Sequence, residues 1–286
     1  MNSGNKLYGW IRILFPIFLE WLLSMLVTTA AIWYCRNILV LGVQDQLDSF
    51  QTEAYWREQY RQMSLAITAA THALSFVVMA FFYRRDLRTD GAAFESEGRP
   101  HVVWYLVLPV LGVSSCFVAN GLLNLSGLMR LFADEYESIS SVLYNSSSLW
   151  LSAATVVIAA PLAEEVLFRG LCYRRMRMQM PAVQAIFMSA FLFGAYHGNV
   201  VQAIYGFALG VVLAWSYERF RSLAAPVLLH MCANAFSFLL SKIRELNAFL
   251  GGSMLRMVLS VLLFTLAGSF CFYLVQVRMH NKEKRS

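Results

Sequence analysis

The sequence predicts an all-α, polytopic membrane protein, with about eight transmembrane helices in one bundle and both termini cytoplasmic. Three observations carry that expectation. First, 58% of the 286 residues are hydrophobic and only 14% are charged, with a mean hydropathy of +0.55; soluble domains carry about 25% charged residues. Second, apolar runs recur along the chain near 13–35, 63–83, 102–122, 147–171, 182–199, 201–217, 223–241 and 254–277. Most approach the roughly 20 residues that cross about 30 Å of hydrocarbon. Third, the basic residues alternate from loop to loop. Lys6 and Arg12; Arg84, Arg85, Arg88 and Arg99; Arg174, Arg175 and Arg177; Arg219 and Arg221; and Arg278, Lys282, Lys284 and Arg285 fall on one side. They outnumber Arg36, Arg57, Arg61, Arg130, Lys242, Arg244 and Arg256 on the other, where Asp45, Asp48, Glu53, Glu58, Asp134, Glu135 and Glu137 also gather. Lys and Arg mark cytoplasmic loops, so an even number of spans leaves both ends inside. The net charge of +6 is therefore a topology signal, and no nucleic-acid partner is expected.

The first run, Ile13 to Tyr34, is longer than the 7–15-residue core of a signal peptide and reads as a retained membrane helix. Glu20 inside it is an intramembrane carboxyl, read as a helix–helix hydrogen-bond partner. Arg84 to Pro100 is the longest polar cytoplasmic stretch, broken by Gly91, Gly98 and Pro100. The fifth and sixth runs meet at Gly198-Asn199 and should form a helical hairpin. Gly206 and Gly210 in the sixth make a small-xxx-small pair suited to a close helix crossing. His72 and Asn120 are single intramembrane polar groups and read as packing partners. The organisation expected is 1–145, N-terminal helices and loops; 146–245, a chemistry-bearing core; and 246–286, a last helix with a basic tail. Five cysteines, an odd number without a CxxC pair, indicate neither a disulfide framework nor a cysteine zinc site.

Chemistry concentrates in three patterns: Glu164-Glu165-Val166-Leu167-Phe168-Arg169, Phe193 to His197, and His230 to Asn234. An ionisable group in hydrocarbon costs roughly 2.5–3.5 kcal/mol, so several on neighbouring helices imply a polar cavity. Arg169 stands at i+4 from Glu165, the spacing of a facing acidic–basic pair. Glu165 and Arg169 are therefore expected to support the site as an ion pair, leaving Glu164 for the cavity. Glu164 lies ten residues before Arg174, roughly 15 Å along the helix and near mid-bilayer. Desolvation at that depth suits it to accept a proton from water. His230 and Asn234 share one helix face and can both donate to a developing oxyanion.

Two mechanisms use these groups. In one, Glu164 activates water, His197 positions it, and His230 with Asn234 stabilises the tetrahedral intermediate. In the other, Glu164, His197 and His230 hold Zn²⁺. That set leaves no base once Glu165 is tied to Arg169, and the metal-free version is preferred. Depth sets a condition on either: His197 falls nearer the outer face, and His230 about eight residues in from the cytoplasmic side. Helix tilt of about 20–40°, or a re-entrant hairpin, would have to bring them level.

From about Leu149 to Leu240 these motifs resemble the CAAX-protease and bacteriocin-processing (CPBP) family of intramembrane proteases, which includes the type II CAAX prenyl endopeptidases. The resemblance rests on the EExxxR pattern at Glu164, the FxxxH pattern ending at His197, and the HxxxN pattern from His230 to Asn234. It implies an eight-helix bundle with a cytoplasm-facing cavity and peptide-bond hydrolysis, Glu164 activating water and His197, His230 and Asn234 completing the site. The family has been called metalloprotease and has also been given a metal-free glutamate mechanism, so Zn²⁺ stays open as a cofactor. The expected partners are a peptide or membrane-protein substrate and the lipid bilayer. The expected location is a bacterial cytoplasmic membrane, which argues against a prenylated substrate. The rival expectation is a non-catalytic membrane scaffold or bacteriocin-immunity protein on the same fold.

Overall fold

Helices form wherever the apolar runs occur, because in hydrocarbon every backbone N–H and C=O must find its partner within the chain. The structure, a computed structural model, describes residues 3–89, 94, 100–133 and 148–283. Gly91, Gly98 and Arg99 of the polar loop and the acidic trio Asp134, Glu135 and Glu137 lie outside the described residues. Elements are named α1 (Ser3–Tyr34), α2 (Ser49–Thr89), α3 (Val107–Leu125), α4 (Leu149–Arg177), α5 (Ala182–Tyr196), α6 (Val200–Phe220), α7 (Ala224–Lys242), α8 (Arg244–Gly251) and α9 (Met254–Glu283). Among the described residues there is no strand, and seven of these helices are long and apolar enough to cross a membrane. The chain is an integral, multi-pass, all-α membrane protein.

Two elements differ from the sequence expectation. The fifth run is a helix of only 15 residues, roughly 22 Å and short of a full span. It starts after Pro181 and stops at His197, where Gly198 takes φ +72° and turns the chain. Only glycine enters that left-handed region freely, so the break is written into the sequence at one residue. Asn199 then caps α6, its side chain accepting from the Gln202 amide at 2.8 Å. The hairpin closes tightly: a Cβ on Gly194 would stand 2.5 Å from the Ala203 carbonyl oxygen, and one on Gly210 would meet Ala190 Cα at 3.0 Å. The second run is longer than its apolar part. α2 begins at Ser49, and its polar first turns are laced by Glu53–Arg57 and Glu58–Arg61 pairs at 2.8 and 2.7 Å.

The core gathers around α4. Leu167, Phe168, Leu171, Cys172, Tyr173 and Met176 are all buried, packed by Met79 of α2, Phe193 of α5, Leu213 and Tyr217 of α6, and Leu229 of α7. α4 is not a uniform α-helix: Ala154–Ala159 and Val166–Tyr173 are π-helical, with Ala160–Glu165 α-helical between them. Pro161 lacks an N–H and its ring crowds the preceding turn, so a widened turn just ahead of it relieves the clash. At the far end of α4, Arg175 donates from Nε to Asp86 Oδ2 at 2.6 Å and from Nη1 to the Arg12 carbonyl. These contacts tie α1 and α2 to the core helix. All five cysteines are free, and Cys232 alone is not buried.

Candidate active site

The two glutamates sit on the short α-helical stretch between the two π-helical segments of α4, where the backbone is re-aimed twice within a few turns. Interruptions of this kind frequently mark functional positions. Glu165 is fully buried, and its Oε1 accepts from Arg169 Nη1 at 2.9 Å. The expected pair is present, and the same oxygen also meets His230 Nδ1 at 2.8 Å. Arg169, likewise fully buried, donates from Nη2 to the Gly210 carbonyl at 3.1 Å and lies over the Phe193 ring at 4.5 Å. Glu165 is therefore more than half of an ion pair. It fixes the His230 ring with Nδ1 toward the carboxylate, and a neighbour of this sort sets which ring nitrogen is available for chemistry.

That nitrogen, Nε2 of His230, lies 3.9 Å from Oε2 of Glu164. The separation exceeds a hydrogen bond but keeps the two groups in electrostatic contact. Glu164 is 8% exposed. Two carboxylates adjacent in sequence thus do different jobs because successive helical residues point about 100° apart: Glu165 turns to Arg169 and His230 Nδ1, and Glu164 to the other side of the same ring.

His197 is placed by the end of α5. Its Nδ1 pairs with the Phe193 carbonyl oxygen at 2.8 Å, leaving Nε2 as its other polar atom. Both imidazoles pack edge-on against Phe193, His197 at 4.9 Å and His230 at 5.7 Å between ring centres. Phe193, one turn before His197 on α5, is thus the side chain that the two histidines share. Asn234 departs from the role of an unencumbered donor. Its Nδ2 donates to the Val156 carbonyl at 2.9 Å, in the first π-helical segment, so the side chain also ties α7 to α4. One amide hydrogen remains on Nδ2.

Two groups read from the sequence as packing partners lie at the edge of this cluster. Glu20 of α1 is 2% exposed, hydrogen-bonds Tyr196, and is in electrostatic contact with Glu164. His72 of α2 is in electrostatic contact with His197. Each was visible as a lone ionisable group in an apolar run; which helix it would face was not.

The donors do not fit a zinc centre as placed. Among the described residues no three His, Cys, Asp or Glu side chains converge as a metal-holding group. Nδ1 of His230 bonds Glu165 and Nδ1 of His197 bonds Phe193, an arrangement that metal-bound histidines share, so the want of a third converging donor is what counts against zinc.

Fold and site together define a polytopic membrane protein with a buried carboxylate–imidazole cluster inside its helix bundle. Residues 146–236 match the family model described as Type II CAAX prenyl endopeptidase Rce1-like. The match takes in Glu164, Glu165, Arg169, His197, His230 and Asn234, and it leaves Glu20 and His72 outside. Comparison with curated proteins and with solved structures gives no match.

Proposed function

We propose that the protein is an intramembrane endopeptidase that cleaves a membrane-associated protein or peptide using water activated by Glu164. The observation that carries this reading is the hydrogen bond of Glu165 to His230 Nδ1, which joins the first and third motifs and leaves Nε2 facing Glu164. Glu164 takes a proton from water as the hydroxyl oxygen bonds to the scissile carbonyl carbon. The carbonyl oxygen becomes an oxyanion, met by the His230 ring and the remaining Asn234 amide hydrogen. When both ring nitrogens carry hydrogen, Nε2 donates and the Glu165 carboxylate balances the charge, as a buried carboxylate does beside a catalytic histidine elsewhere. His197 Nε2 orients the water. The C–N bond then breaks, the proton held by Glu164 passes to the leaving amine, and a carboxylic acid and an amine result.

The loop charges support both termini on the cytoplasmic side, and a bacterial cytoplasmic membrane is the setting proposed. The test compares membrane and secreted peptides from cells carrying wild-type protein or Glu164→Gln. A new N- or C-terminus that depends on wild type supports proteolysis, identifies the substrate and locates the bond. Identical profiles, with a deletion phenotype rescued by Glu164→Gln, would make the chain a binding scaffold or immunity protein instead.

A further inference from the structure

We infer that Glu20 of α1 is a positioning residue of the same site, acting through Tyr196. This rests on the protease reading above, and three observations lead to it. The first is register. The Cys172 thiol donates to the Ile13 carbonyl at 3.3 Å, and Arg175 reaches the Arg12 carbonyl, so α1 runs against α4 in a fixed alignment. Seven residues along α1 from Ile13, roughly 10 Å, lies Glu20; eight residues back along α4 from Cys172, a stretch shortened by its π-helical turns, lies Glu164. The two carboxyls arrive at one depth, and they are in electrostatic contact.

The second observation is an unmet group. Glu20 is 2% exposed, and its Oε2 is buried with no hydrogen-bond partner. A carboxyl kept this way is costly and is poor evidence of a stabilising role. The third is its partner. Tyr196 donates to the Glu20 carboxyl, is itself in electrostatic contact with Glu164, and packs edge-on to Phe168 at 5.4 Å and to His197 at 5.9 Å. Tyr196 precedes His197 where α5 ends, so holding its hydroxyl from α1 holds the end of the helix that presents His197. Without Glu20 that end has one fewer tether, and a misplacement of about 1 Å at a reacting geometry can cost 10²-fold in rate.

The test uses the full-length protein in detergent micelles and, as probe, a synthetic peptide carrying the bond located by the peptide comparison. Glu20→Met keeps side-chain length and removes the carboxyl. It is expected to melt at or above the wild-type temperature while kcat falls about 10- to 100-fold at unchanged KM. Glu20→Gln, which still accepts from Tyr196, should restore most of the rate. Tyr196→Phe should reproduce the loss and add little when combined with Glu20→Met. If Glu20→Met does not insert, Tyr196→Phe with Glu20→Gln carries the same test. Wild-type kcat in these variants overturns the inference while leaving the protease reading intact. A lowered melting temperature with a matching rate loss, unrescued by Gln, also overturns it, because Glu20 would then be structural. Absence of any cleavage by wild type would overturn the protease reading itself, and this inference with it.

Discussion

α4 and α9 are both long apolar helices, yet they are built to opposite rules. α9 is the more apolar, and only 17% of its most apolar window is buried within the protein; for α4 the share is 56%. Leu259, Leu262, Leu263, Leu266 and Phe270 of α9 point outward, whereas the fully buried positions of α4 include Glu165 and Arg169. In water the apolar face turns inward. In a bilayer the lipid is as apolar as leucine, so hydrophobicity gives little reason to choose the inside, and polar groups and close packing decide what is buried. The most hydrophobic helix is accordingly a wall, and the helix that carries charge is the centre.

This contrast can be broken at its strongest point first. Glu164→Gln should reduce turnover about 10²- to 10⁴-fold, the range for removing a general base, while insertion and melting stay near wild type; cleavage of the identified peptide by purified protein checks both halves. Arg169→Ala should act mainly on stability, about 3–5 kcal/mol, because it strands the buried Glu165 carboxylate. A Glu165→Leu/Arg169→Met double variant should recover much of the melting temperature but little activity, since His230 then loses the acceptor at Nδ1. Gly194→Leu should cost about 1–3 kcal/mol by overpacking the α5–α6 crossing and should lower turnover by moving His197; thermal melts and kcat read the two effects. The smallest effects sharpen the comparison. Leu171→Ala on α4, where the side chain is fully buried, should cost about 2 kcal/mol through the cavity it leaves. Leu266→Ala on α9, 71% exposed, should stay within about 0.5 kcal/mol. Equal losses at the two positions would remove the distinction between wall and centre.

Much of the site was legible because its signals are local. Glu165 and Arg169 face each other at i+4 on one helix, and that spacing alone was enough to pair them. His230 and Asn234 were placed on one face of α7 by the same periodicity. The link that makes the cluster a catalytic candidate was not legible: Glu165 and His230 are 65 residues apart, and helical spacing is silent about which helices touch. The same holds for Glu20 with Tyr196 and for His72 with His197, each a lone polar group until two helices met. The length of α5 lay between these cases. Gly198 marked a turn, but the counted run continued through it, and only the backbone at φ +72° shows the helix ending at Tyr196.

The sequence by itself determined that this chain enters the membrane as helices, which of them carry ionisable groups, and which pairs lie along one helix face. Apolar run length and 3.6-residue periodicity are properties of a single segment, and they survive in any packing. The tertiary structure alone decided that His197 and His230 flank one phenylalanine, that Asn234 is partly committed to α4, and that Glu165 rather than Glu164 holds the histidine. Those outcomes depend on which helices pack together and at what register, and a bilayer, indifferent between one apolar face and another, leaves that choice to small residues and buried polar contacts.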